Sequence, residues 1–124
     1  MFYAILAYHV EGAITQLSPE EDAELMKHLI KINARLENEG KLGPAARLDF
    51  TQSAVTVRGK SNADVFDGPF AETKEQLLGL YILNCASRDE AVAIAQEFKT
   101  VNPSATYEIR PISYFAPGVS LTAE

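Results

Sequence analysis

The chain has 124 residues, a formal net charge of -6 and one cysteine. That length suits a single domain, which buries about two-thirds of its unfolded surface and needs no disulfide staples. Scattered basic residues on an acidic chain argue against nucleic acid and anionic membranes as partners, and a lone Cys85 cannot form an internal disulfide, which points to a reducing, cytoplasmic setting.

Residues 2–10 read as a first strand. Phe2, Ala4, Leu6 and Tyr8 share one face and Tyr3, Ile5 and Ala7 the other, so both faces are apolar and both call for cover. This opening has no basic leader or small-residue cleavage pattern, and no run reaches membrane-spanning length. Ser18-Pro19-Glu20-Glu21 then predicts a helix start, with Ser18 as N-cap, Pro19 in the first turn and Glu21 closing a capping box. Leu25, Leu29, Ile32 and Leu36 recur at helical spacing up to Gly40, a terminating residue, for a length of ~30 Å.

Leu42-Gly43-Pro44 has the composition of a turn, and Ala54 to Arg58 reads as a strand rich in β-branched residues, with Arg47 to Phe50 as a candidate hairpin partner. Gly59 to Asn62 is a polar turn and Val65-Phe66 a short extended piece. The most apolar run, 77–85, is a buried strand, and there Cys85 behaves as a small hydrophobe. Ser87-Arg88-Asp89-Glu90 is a second capping box, opening a helix that buries Ala91, Ile94, Ala95 and Phe98 and ends before Asn102-Pro103. Tyr107 to Ile112 supplies the last strand, and the tail from Ala116 is expected to fray.

Strand, helix, hairpin strands, strand, helix, strand is the α+β, ferredoxin-like βαββαβ order with an inserted hairpin or loop. Both helices cover one face of the sheet. The other face is apolar too, and a second copy of the chain is its simplest cover, because such patches are rare on monomers. A homodimer with sheets face to face is therefore expected.

The most distinctive stretch is Asp67-Gly68-Pro69-Phe70-Ala71-Glu72-Thr73-Lys74-Glu75-Gln76. Asp-Gly followed by proline forces a bend, placing three acids and a lysine directly before the buried strand. From Asp67 through Tyr81 the sequence resembles the signature of the DGPF branch of the YCII-related family. The resemblance implies one domain over 1–115 with a tail over 116–124, and a dimeric α/β barrel of ferredoxin-like subunits.

His28 lies three residues after Leu25 and four before Ile32, at the border of the buried helix face. It is either a general acid or base near neutral pH, or a structural histidine bonded to Glu24 one turn away. The resemblance implies that His28-Leu29 is part of a proposed active site whose acidic partner is an Asp near the end of strand one. Here His9-Val10-Glu11 stands at that place, so Glu11 substitutes or the acid comes from elsewhere. His28 and Glu75 are the catalytic candidates, and Asp67, Glu72, Lys74 and Glu11 the binding candidates, with Lys74 and Glu75 as a clamp for an anionic or hydroxylated ligand. The rival view is a capped turn with a surface ion pair, in which Gly68, Pro69 and Phe70 are conformational or core residues.

Glu24 and His28 would supply only two metal ligands, and no Cys/His spacing completes a site, so no metal is expected. Nucleotide loops, dinucleotide fingerprints and nucleophile elbows are missing from the sequence, and no cofactor is expected. The inventory suits a cofactor-free lyase or isomerase acting on an unidentified small molecule. The resemblance supports this through a YCII-related dechlorinating lyase. It also implies an alternative, a protein-binding regulatory module accompanying an extracytoplasmic-function sigma factor without touching DNA.

Overall fold

The computed structural model describes residues 1–10, 12–13, 16–60 and 64–122. Strand β1 (Phe2–Val10) buries alternate residues, Tyr3, Ile5, Ala7 and His9. Helix α1 (Pro19–Asn38) starts as its sequence dictates: Ser18 Oγ accepts from the Glu21 amide at 3.1 Å, and Glu21 Oε1 accepts from the Ser18 amide at 3.0 Å. Reciprocal caps of this kind contribute about 1 kcal/mol. At its other end Gly40 takes φ +71°, and the amides of Gly40 and Lys41 turn back to the carbonyls of Glu37 and Leu36. That is a Schellman ending, and it needs the left-handed residue that glycine supplies.

The predicted turn at 42–44 is instead the start of strand β2 (Leu42–Arg47), which pairs antiparallel with β5 (Glu75–Asn84). A register shift between Leu42 and Ala45 absorbs Gly43-Pro44 as an irregularity. Pro44 is tolerated because β2 is an edge strand, and a side chain at Gly43 would press 3.0 Å from the Ile82 carbonyl oxygen. The expected hairpin partner at 47–50 is corrected as well. Strand β3 (Val55–Arg58) pairs with β4 (Asp64–Asp67) in a separate two-stranded arm.

Helix α2 (Arg88–Val101) buries the four residues its periodicity predicts, Ala91, Ile94, Ala95 and Phe98. Its cap is only half a capping box: Ser87 Oγ accepts from the Glu90 amide, but Glu90 reaches the amide of Ala86, one residue earlier. Strand β6 (Thr106–Pro111) completes a four-stranded antiparallel sheet of order β2-β5-β1-β6, the split βαβ arrangement. Tyr3, Ile5 and Leu83 of the sheet pack with Leu29, Ile32 and Leu36 of α1 and Ile94 and Phe98 of α2 as one core. Arg35 of α1 also binds Glu97 of α2. The opposite sheet face carries Leu6 opposite Leu80 and Ala4 opposite Ile82, all half-buried.

The Asp67–Phe70 motif is laced to the arm, and Phe70, expected in the core, is instead exposed. Gly68 donates its amide to the Ala54 carbonyl at 2.7 Å, Thr56 Oγ1 donates to the Gly68 carbonyl at 2.8 Å, and Arg58 donates to the Phe70 carbonyl at 2.9 Å. Gly68 sits at φ +95°, and no atom lies within 4 Å of the place a side-chain methyl would take. Gly68→Ala is therefore expected to cost backbone strain alone, about 1–2 kcal/mol, read as a lowered urea midpoint at unchanged m-value.

Candidate functional site

The register of the sheet explains why a cavity forms. Across its helix-facing side runs the row Arg47, Gly79, Ala7, Tyr107, one residue from each strand. The two central strands contribute no side chain larger than methyl here, so the floor is recessed between a cation at one end and a phenol at the other. Leu25, Met26, Leu29 and Asn33 of α1 roof it, and His9, Tyr81 and Asn102 complete the walls around about 210 Å³. A Cβ at Gly79 would lie 3.3 Å from the Ala46 carbonyl oxygen and 3.8 Å from the Ala7 methyl. Glycine in a strand interior often marks such a close approach.

Polar groups converge on this space. His9 is only 5% exposed, and among the described residues its Nδ1 has no hydrogen-bond partner, nor does Oδ1 of Asn33. Burial, reinforced by the charges of Arg47 and Lys99, holds the His9 imidazole below its ordinary pKa of 6.5 and so favours the neutral ring. Arg47 forks onto Asp22 at 2.8 and 3.3 Å, tying the end of β2 to the first turn of α1. Asn102 Nδ2 donates to the Tyr107 hydroxyl at 3.2 Å. Burial pushes the Tyr81 phenol up to about 12 and raises that of Tyr107, so both stay protonated donors near neutral pH. Phe98, fully buried, stacks on Tyr81 with ring centroids 4.3 Å apart and stiffens that wall.

The residues singled out from sequence lie elsewhere. His28 is on the exposed side of α1, its Nε2 3.2 Å from Glu24 Oε1. Asp67 ends β4 opposite Val55, Glu72 and Lys74 are exposed between the arm and β5, and Glu75 pairs with Val10 at the start of β5. None of them lines the cavity, and the structure does not bring His28 and Lys74 or Glu75 to a common pocket. Glu11 lies outside the described residues. His9 is the residue that sequence reasoning passes over, although the signal is there: the alternation of Tyr3, Ile5 and Ala7 continues one step further to it.

A sheet of this order under two helices, with a cavity beneath the first of them, defines a ferredoxin-like α+β protein. The YCII-related domain model matches residues 1–116, and the chain belongs to that family. It is 46% identical over 120 residues to the uncharacterised protein R00369 of Rhizobium meliloti (strain 1021), covering 95% of this chain and 97% of that one. Its fold is similar to that of the 5-chloro-2-hydroxyhydroquinone dehydrochlorinase TftG from Burkholderia phenoliruptrix AC1100, solved in complex with 2,5-dihydroxybenzoquinone. The TM-score is 0.53 at 14% identity, covering 93% of this chain and 96% of that one.

Proposed function

We propose that this chain binds a small molecule beneath α1 and supports cofactor-free acid–base chemistry of a lyase or isomerase kind, with His9 moving the proton. One observation carries this: His9, buried and favoured in its neutral form, lines a 210 Å³ cavity, and its Nδ1 has no hydrogen-bond partner among the described residues. Buried polar groups are normally paired, and an orphan on a residue that lines a cavity is a candidate partner for a ligand. The volume sets the size of that ligand. A cavity of ~150 Å³ accepts benzene, so this one suits a single substituted ring and not a nucleotide. The single-ring ligand of TftG supports the same size class.

In this proposal Asn33, Tyr107 and Arg47 orient the ligand, while the pair of His28 and Glu24 serves the surface of α1. Asp67, Glu72, Lys74 and Glu75 shape the junction of arm and sheet. The protein acts as a homodimer through the open sheet face. Among the described residues no helix is long and apolar enough to cross a membrane.

The test is a screen of single-ring compounds by ligand-observed NMR, with Gly79→Val as a control that fills the cavity floor. Wild type is expected to bind a subset, and the variant to lose that binding while keeping its circular dichroism. Equal binding by both proteins would place the site elsewhere and end the proposal.

A second reading is favoured by the arm, where Val55, Val57, Val65 and Phe66 are each at least half exposed. In it the arm docks on a protein such as an extracytoplasmic-function sigma factor. Co-elution with that factor, lost in Val57→Glu, is the expected result; unchanged elution removes this alternative.

A further inference from the structure

Arg47 stands at one end of the recessed row and lines the cavity, yet its guanidinium is already occupied by Asp22, which accepts at 2.8 and 3.3 Å through its two carboxylate oxygens. The pair is open to solvent, with 40% and 37% of the two side chains exposed. Solvent-exposed ion pairs have little net worth, so a second carboxylate entering the cavity competes for the fork on favourable terms. The occupant also reveals the shape the fork prefers. A guanidinium with two parallel donors matches a planar carboxylate, and it already holds one in that manner.

The surrounding charges favour the same sign. Lys99 donates to the carbonyls of Pro103 and Ala105 at 2.5 and 2.6 Å, on either side of the loop that follows Asn102 in the cavity wall. Among the described residues Lys99 has no carboxylate within ion-pair distance. Arg47 lines the cavity and the charge of Lys99 acts on His9 in its lining, so two cations bear on this space in a chain whose net charge is -6. Tyr107 accepts from Asn102, which leaves its own hydroxyl hydrogen available to donate. Arg47 and the Tyr107 hydroxyl are thus donors for an anion, while Asn33 Oδ1 is an acceptor for a donor elsewhere on the same ring.

We propose that the cavity selects a single-ring carboxylate, that Arg47 is the residue reading its charge, and that Asp22 is a built-in competitor which releases the guanidinium when the ligand enters. This rests on the small-ring site described above. The ring lies over Gly79 and Ala7, and the carboxylate points toward β2. Asp22 is thereby a specificity device: it keeps the arginine paired when the site is free and discriminates against ligands unable to displace it.

The experiment titrates the full chain with benzoate and with the neutral isostere benzamide by calorimetry at neutral pH, in wild type, Asp22→Asn, Arg47→Gln and Arg47→Lys. Circular dichroism checks that each variant is folded. Wild type is expected to prefer benzoate by about tenfold, a step of about 1.4 kcal/mol. Asp22→Asn tightens benzoate several-fold without changing benzamide. Arg47→Gln erases the preference, and Arg47→Lys, which keeps the charge but not the fork, restores only part of it. Equal binding of the two probes to wild type, or a preference that survives Arg47→Gln, overturns the assignment while leaving the small-ring site standing. If neither probe binds wild type or Asp22→Asn at millimolar concentration, the small-ring site and the assignment fall together.

Discussion

Replacing His9 with leucine is expected to stabilise the fold while impairing the acid–base chemistry proposed for the site. The ring is buried with Nδ1 unpaired among the described residues. An unsatisfied buried polar atom costs about 1–3 kcal/mol, and exchanging it for an apolar side chain of similar size recovers part of that cost, here about 1 kcal/mol. The sign of the pH dependence follows from the direction of its pKa. Burial first, then the charges of Arg47 and Lys99, lowers the folded value below 6.5. The unfolded chain therefore takes up a proton that the folded chain refuses. The contribution of His9 is complete above about 6.5, is lost as pH falls from there toward the folded value, and is level below it. Leucine removes this slope. Urea unfolding of both proteins at several pH values should show their stability difference widening in favour of the variant just below pH 6.5. A difference constant through that window would show that His9 does not titrate as its surroundings dictate. Turnover of any substrate found for the cavity should fall by about 10²–10⁴-fold, the usual contribution of a general acid or base. A variant more stable yet inactive is the signature of a residue retained for function and not for folding.

Leu80→Glu is expected to split a dimer without unfolding its subunits. Leu80 faces Leu6 on the sheet side away from the helices, and both are half-buried in a single chain. If that face meets its copy, the interface needs roughly 1,200–2,000 Å² of buried surface, and a glutamate at its centre would bury an unpaired charge at a cost of several kcal/mol. On a face open to water the same change would stay within about 0.5 kcal/mol. Light scattering with size-exclusion chromatography should find wild type at twice the chain mass and the variant at the chain mass, with circular dichroism unchanged. Wild type eluting as a monomer at micromolar concentration would refute the face-to-face assembly.

Local chemistry made much of the fold legible from the chain alone. Ser18, Pro19 and Glu21 dictate where α1 begins, and Gly40 where it ends, because these effects act over three or four residues and owe nothing to distant partners. The same holds for the buried stripe of α2, set by a period of 3.6 residues. Pairing between strands is another matter. Gly43-Pro44 carries turn chemistry, yet it lies in β2 because the edge of β5 supplies partners for the residues around it, and β3 takes β4 instead of the nearer segment 47–50. Tertiary context overrides a local preference of this size.

The site divides along the same line. The DGPF stretch announces itself through rare neighbours, and its bend at Gly68 is a local necessity that the arm then uses. The cavity has no local signature. Ala7, Gly79 and Arg47 are unremarkable singly and far apart in sequence, and they define a recess only when two antiparallel pairings align them in one row. His28 draws attention because histidine near a helical stripe is visible in one dimension, whereas His9 matters because of what the completed sheet and helix bury around it. Short-range sterics and capping are encoded where they act, while burial, and with it the protonation state of a candidate acid or base, belongs to the assembled sheet and helices.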